Sequence, residues 1–169
     1  MFIRTATAND IDELKALYYN TITTVNTKDY NTEQIKAWSS TAGRTERLIK
    51  KINEQYFYIV ETTDKIITGF ASLSTLGYLD MMYVHKDFQG KGIAKLLLEK
   101  ILETAEILNL SIIESDVSIT AKPFFEKQGF KVLKEQTVKI EGVVLTNYKM
   151  QLIIGKVAPQ MQDSSLDII

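Results

Sequence analysis

The sequence predicts a single mixed α/β (α+β) domain, and three observations carry that reading. Strand-like and helix-like stretches alternate from Phe2 to Ile153 without an internal repeat. A strand, a glycine turn and a long amphipathic helix follow one another between Tyr78 and Leu108. Of the 169 residues, 45% are apolar, enough to build one good core. Net charge is −1, so no bulk electrostatic case exists for nucleic acid or an anionic membrane. Cysteine is absent and histidine occurs once, which removes disulfides, thiol nucleophiles and the usual Cys- or His-rich metal centres. No metal is expected. The opening residues MFIRTATAND carry no apolar signal core, and no apolar run approaches the roughly 18 residues of a membrane span, so the expected location is the cytoplasm.

Taken in order, Phe2 to Thr5 reads as a short strand. Asn9 or Asp10 caps a helix running to about Thr21, with Ile11, Leu14, Leu17 and Tyr18 on one face. Glu33 to Ser39 and Thr45 to Ile52 are two helical pieces separated by the polar break Ser40-Thr41-Ala42-Gly43. Tyr56 to Glu61 and Ile66 to Ser72 are strands of a hairpin, and Tyr78 to Val84 is the next strand. Ile93, Leu97, Ile101, Ala105 and Leu108 stripe the long helix. Leu110 to Val117 is a strand. Thr120 is an N-cap candidate for a short helix in which Pro123 falls in the first turn and Gly129 suits the position after the end. Phe130 to Ile140 and Val143 to Ile153 form a long hairpin turning at Glu141-Gly142. The domain so defined covers residues 1–154. Residues 155–169 show no amphipathic period and read as a mobile tail; the competing reading docks Leu166 to Ile169 on a partner chain or a sheet edge.

The most informative stretch is YVHKDFQGKGIAKLLL, Tyr83 to Leu98. Its two glycines let the backbone bend tightly, and the helix behind them offers unpaired N–H groups and a positive dipole end to an anion such as a pyrophosphate. The string GxxxxGK[ST] of a P-loop does not occur, and the dinucleotide pattern GxGxxG fails because Lys95 holds the place of its third glycine. An ordinary turn before a helix is the competing reading. Gln89, Gly92 and Ala94 do fit the Gln-x-x-Gly-x-Ala form of the pyrophosphate loop of the GNAT superfamily of acyl-CoA-dependent N-acyltransferases, which the chain resembles. A second stretch, SIIESDVSITAKPFFEKQGF, resembles that family's later signature: Ser118 at a strand end, then Ala121, Phe124, Phe125, Gly129 and Phe130. The resemblance covers roughly residues 2 to 150 and implies a central mixed, mostly antiparallel sheet flanked by helices. It is nearest to small bacterial members of unassigned substrate.

What the resemblance implies about chemistry can be placed residue by residue. Acetyl-CoA would be the co-substrate, with direct transfer of the acetyl group to a primary amine in a ternary complex. The backbone of Met82, Tyr83 and Val84 would pair with the pantetheine arm, while Gln89, Gly90, Lys91, Gly92, Ile93 and Ala94 would wrap the pyrophosphate. Lys91 and Lys95 could add charge-assisted contacts. The acceptor ammonium must lose a proton, and Asp80, interrupting an otherwise apolar strand, is the first candidate base; a salt-bridged aspartate is the level alternative. Glu114 and His85 are weaker candidates. Many members of the family carry a tyrosine, the general acid, where this chain has Phe125. That leaves Tyr83, Ser118 or a water as donor, or an unassisted thiolate. Phe125 and Ser118 would also lie against the cofactor. Tyr18, Tyr19, Tyr30 and Trp38, with Asn147 and Tyr148, are candidates for the acceptor groove, the core being the competing place for Trp38 and Tyr18. The acceptor would be a small-molecule or protein amine, and a homodimer is suggested by analogy alone. Two other readings stand beside the enzyme: a non-catalytic acyl-CoA-binding or sensory module on the same fold, and an interaction protein whose glycine turn is merely a turn.

Overall fold

A computed structural model describes residues 1–155; beyond Gly155, the expectations for the tail fall outside the described residues. The elements are β1 (Phe2–Thr5), α1 (Ile11–Thr24), α2 (Thr32–Ser40), α3 (Thr45–Glu54), β2 (Tyr56–Glu61), β3 (Ile67–Leu73), β4 (Leu79–Val84), α4 (Ile93–Ile107), β5 (Ile112–Ser118), α5 (Lys122–Lys127), β6 (Lys131–Ile140) and β7 (Val143–Ile153). Strands β1-β2-β3-β4 form one antiparallel sheet and β5-β7-β6 a second. The two meet through a parallel bridge between Tyr78 and Glu114, with Glu114 N–H donating to Gly77 O at 3.0 Å. The whole is therefore a mixed, mostly antiparallel sheet, as expected.

Helix α4 lies on one face of the first sheet. Its stripe of Ile93, Leu97, Leu98 and Ile101 is almost fully buried against Val60, Ala71, Leu79, Ile113 and Met150. Each such side chain contributes about 1.5–3 kcal/mol of gross hydrophobic stabilisation. The head of the helix comes especially close to β3. A Cβ on Gly69 would stand 2.7 Å from Ile93 Cγ2 and 3.0 Å from Tyr83 O, so only glycine fits there. On the opposite face α1 and α3 cover Phe57, Ile59, Ile67 and Phe70. A third cluster joins Ile22, Tyr30 and Ile35 to Leu145 of β7.

Two expected caps are corrected. Asp10 does stand at the N-cap of α1, but its carboxylate turns back to Thr7 N–H (2.7 Å) and to Arg4 (2.7 and 2.9 Å) instead of capping α1. A guanidinium and an earlier N–H outbid the helix donors for those oxygens. Thr120 does not cap α5 either. Ala121 occupies the N-cap, and Ser118 Oγ, one residue beyond the expected end of β5, accepts from Ala121 N–H at 3.1 Å.

Strand β4 decides where the site lies. Ser72 pairs with Met81 and Leu73 with Leu79, so Asp80 has no partner on β3 and forms a bulge. A bulge shifts the alternation of side chains by one residue. Leu79, Met82 and Val84 thus pack toward α4, whereas Met81 and Tyr83 pack toward the α1 side. Asp80 is turned out of the apolar alternation and into a cavity.

Candidate active site

Downstream of the bulge, β4 and β5 part company. Ser115 Oγ still donates to Leu79 O at 2.7 Å, but among the described residues no backbone hydrogen bond joins the strands further on. His85 N–H donates to Thr68 O (2.9 Å), and Tyr83 sits opposite Phe70. In an antiparallel ladder this phase turns the peptide groups of Tyr83 toward β3 and those of Met82 and Val84 toward the opening beside β5. Of the three backbone positions Met82, Tyr83 and Val84, two therefore open toward the parting of the strands. The Val84 carbonyl is already engaged, by Thr21 Oγ1 (2.9 Å) and Gln89 Nε2 (2.7 Å). Gln89 thereby ties the start of the glycine loop to the end of β4.

The loop itself is a row of donors. Gly90 (φ +71°) and Gly92 (φ +82°) flank Lys91 in the left-handed region, and Gly92 is the N-cap of α4. Among the described residues, no acceptor meets the N–H groups of Gln89, Gly90, Lys91, Gly92, Ile93, Ala94 or Lys95; the first intrahelical bond is Leu96 N–H to Gly92 O at 3.0 Å. A Cβ at Gly90 or Gly92 would meet nothing within 4 Å, so the space above the loop is open. Successive N–H groups in such a turn, at the positive end of a 15-residue helix, form an anion nest. The Ile93 side chain is buried and anchors the nest to β3. Lys91 lies over the Phe88 ring (4.6 Å to the centroid), and Lys95 is exposed beside Glu99 at 3.8 Å. These features fit a phosphorylated cofactor entering between β4 and β5.

On the other side of β4 is a cavity of about 380 Å³ that Asp80, Tyr83 and Ser118 all line. Asp80 Oδ2 is ion-paired with Lys51 and accepts from Gln55 Nε2 at 2.9 Å. Asp80 is thus salt-bridged and at the same time lines the cavity. Tyr83 packs on Tyr18 (4.7 Å between ring centroids) and Phe70 (5.4 Å). Burial, with Tyr18 beside it, pushes its phenol well above the ordinary tyrosine value, so it stays protonated.

Tyr18, Tyr30 and Trp38 form the aromatic end of the cavity, with Trp38 Nε1 donating to Tyr18 Oη at 3.2 Å. Tyr30 is pinned: its hydroxyl donates to Thr146 O (2.7 Å) and accepts from Ile119 N–H (3.0 Å). Asn147 lines the cavity, and its buried Oδ1 has no partner among the described residues. Tyr19 is exposed and Tyr148 lies under Lys122 (5.1 Å from Nζ to the ring centroid), so neither belongs to it.

Three other candidate residues have partners within the fold. Phe125 is 4% exposed and packs edge-on against Phe130 (5.0 Å), inside the core. His85 accepts from Asp87 N–H at 3.1 Å and organises the turn before the loop. Glu114 is occupied by Lys149 (3.6 Å) and Gln151 (3.3 Å). Several lining residues escaped the sequence reading: Lys15, Arg44, Arg47, Lys51, Tyr78 and Asp116. Period-two spacing back from Ser118 would have placed Asp116 on the same face of β5. The cations of α3 needed the tertiary structure. Among the described residues, no group of three or more His, Asp or Glu side chains could hold a metal ion.

Comparison with known proteins bears on this arrangement. A family model described as an acetyltransferase (GNAT) domain matches residues 26–152. The chain is 30% identical over 149 residues to the uncharacterized N-acetyltransferase YafP of Escherichia coli (strain K12), covering 88% of this chain and 93% of that protein. The structure is similar to that of a GCN5-related N-acetyltransferase from Rhodopseudomonas palustris, with a TM-score of 0.87, 29% identity and coverage of 90% and 95% of the two chains. It shares its fold with the PaiA N-acetyltransferase of Thermoplasma acidophilum, solved in complex with coenzyme A (TM-score 0.74, 19% identity, 90% and 98% covered). The donor nest, the parted strands and the match over three quarters of the sequence converge: this chain belongs to the GNAT acetyltransferase family.

Proposed function

We propose that the protein is an acetyl-CoA-dependent N-acetyltransferase that transfers an acetyl group directly to a primary amine, with both substrates bound together. The observation that carries this reading is the run of seven N–H groups from Gln89 to Lys95 that have no partner among the described residues, set where β4 and β5 part. In this reading the nest holds the pyrophosphate, Lys91 and Lys95 add positive charge, and the Met82 and Val84 peptide groups bind the pantetheine arm as an added strand would be bound. Bound acetyl-CoA supplies an activated acetyl carbonyl: a C–N bond forms to the amine, the C–S bond breaks, and the sulfur departs.

The chain's own groups handle charge and protons. Peptide N–H groups at the parting of β4 donate to the carbonyl oxygen as charge develops on it. Of the two protons an ammonium gives up, one passes to Asp80 or a water it holds and then to solvent; the other ends on the sulfur. Asp80 keeps Oδ1 without a protein partner among the described residues, which suits that task. Tyr83 and Ser118 line the same cavity and are the available donors to sulfur. Neither is indispensable, because a thiol of pKa about 8.5 is a fair leaving group.

A calorimetric titration of acetyl-CoA, followed by thiol release with a panel of amines, tests the proposal. Micromolar binding at one site with amine-dependent thiol release is expected. Phenylalanine at position 125, where many members of the family carry a tyrosine, motivates a second reading, that of a non-catalytic acyl-CoA-binding module. Binding without thiol release from any amine would favour that reading, and no binding by folded protein would remove both.

A further inference from the structure

The charges around the cavity are not evenly distributed, although the chain as a whole carries a net charge of only −1. Arg44, Arg47 and Lys51 recur along α3 at helical spacing, on the side that lines the cavity, while Leu48 between them enters the core. Lys15 joins them from α1 and Lys139 from β6. Among the described residues, three carboxylates line the same space: Asp80, Asp116 and Glu141.

Two of those carboxylates are already matched. Lys51 pairs with Asp80, and Arg44 pairs with Glu141 at the tip of the β6–β7 hairpin. Lys15 Nζ donates to a neutral partner, Thr45 Oγ1, at 2.8 Å. Among the described residues, Arg47 and Lys139 have no carboxylate within ion-pair reach. The unmatched positive charge therefore gathers where α1 and α3 meet the hairpin.

The strand wall is the reverse. Asp116 is met only by the neutral donors Tyr78 Oη (2.9 Å) and Gln136 Nε2 (2.8 Å), and Asn147 Oδ1 is a buried acceptor without a donor. An aspartate without a cationic partner among the described residues thus lines the cavity from β5, beside the parting of β4 and β5, while cations without a carboxylate partner line it from α1 and α3 and, in Lys139, from β6. A ligand that satisfies both carries an ammonium at the strand wall and an oxyanion at the helix wall. Charges that the protein leaves without an opposite partner remain available to a ligand, and such complementarity discriminates between acceptors.

Building on the transferase reading above, we propose that the acceptor is a small amine bearing a carboxylate, an amino acid in chemical class, held by Arg47 and Lys15 at its acidic end. Polyamines and aminoglycosides, which bring only positive charge, are disfavoured by the same groups.

The test uses matched sets: the proteinogenic amino acids, their primary amides and the corresponding decarboxylated amines, each assayed by thiol release from acetyl-CoA. Amides have less basic nitrogens, which favours them wherever charge is not recognised, so a preference for the acids is the demanding result. The expected outcome is at least one amino acid whose kcat/KM exceeds that of its amide and decarboxylated amine by about tenfold or more. Arg47→Ala, an exposed position, should collapse that ratio toward unity while leaving acetyl-CoA affinity in place. Equal or faster turnover of decarboxylated amines or of spermidine would overturn the inference, as would an unchanged ratio in Arg47→Ala. So would a chain that binds acetyl-CoA yet acetylates no amino acid; each of these leaves the cofactor reading standing. Failure to bind acetyl-CoA at all would instead overturn the proposed function on which the inference rests.

Discussion

The donor nest and the cavity lie on opposite sides of one strand and are built in opposite ways. The nest is made of seven consecutive residues, Gln89 to Lys95, whose geometry follows from two left-handed glycines and the start of a helix. The cavity is lined from α1, α2, α3, β3, β4, β5, β6 and β7, and it is the tertiary fold that brings their polar groups together. Local construction makes the nest tolerant of change elsewhere and sensitive to change within. Distributed construction makes the cavity adaptable, because any of several elements can alter it without disturbing the nest. A superfamily that keeps one cofactor and varies its acceptor would be served by that division.

The comparison is broken most sharply at Gly92. A Cβ there meets nothing in the protein, so Gly92→Val should fold, at a cost of about 1–2 kcal/mol for the left-handed backbone. Its branched side chain would project into the open space above the nest. Acetyl-CoA affinity should fall by at least about 100-fold, the scale of a lost set of charge-assisted hydrogen bonds. Calorimetry with a thermal melt as control reads both quantities, and retained affinity would remove the nest from the cofactor site.

On the cavity side, Asp80→Asn should leave acetyl-CoA affinity unchanged and lower the transfer rate by about 100-fold, the usual scale of a lost proton acceptor. Wild-type transfer in that variant would take Asp80 out of the proton path and leave it as the partner of Lys51. Between the two regions stands Gly69. Gly69→Ala places a methyl group 2.7 Å from Ile93 Cγ2 and 3.0 Å from the Tyr83 carbonyl. Overpacking of this kind costs about 1–3 kcal/mol. It should also lift the head of α4, weakening acetyl-CoA binding by a smaller factor than Gly92→Val does. Unaltered affinity in a destabilised Gly69→Ala would show that the nest is insulated even from its own support.

This asymmetry also explains what the sequence made legible. Every strand and helix was foreseen within a few residues, since amphipathic period, glycine and cap residues are local properties. The nest was foreseen for the same reason. The bulge at Asp80 was not, although the aspartate itself stood out: a bulge is defined by the partner strand, and β3 offers no local sign of it. Lys51 and Arg47 read as the solvated face of a helix until β4 and the hairpin are brought against them. Tyr83 illustrates the limit from the other direction. Its neighbours Met82 and Val84 open to the parting of β4 and β5 while its side chain opens to the cavity, a distinction fixed by the hydrogen-bond phase of β3 and β4.

The smallest expected effect belongs to neither region. At the far edge of the first sheet, Arg4 bonds both oxygens of Asp10 (2.7 and 2.9 Å) and reaches Glu61 (3.0 Å). The Arg4 guanidinium, helped by Thr7 N–H, holds the Asp10 carboxyl below the usual carboxylate range. A carboxyl depressed by folding stabilises the native state fully above its unfolded value of about 3.9, and that contribution is lost as the pH falls through the lower folded value. Asp10→Asn removes it at every pH. The variant should be less stable than wild type at pH 7 by about 1–3 kcal/mol, the range for a hydrogen bond to a charged group. The two melting curves should converge as acid protonates Asp10 in the wild type, while acetyl-CoA affinity at pH 7 stays the same in both. A gap that persisted unchanged into strong acid would mean that Asp10 stabilises the β1–α1 corner by packing and neutral hydrogen bonding, not through its charge.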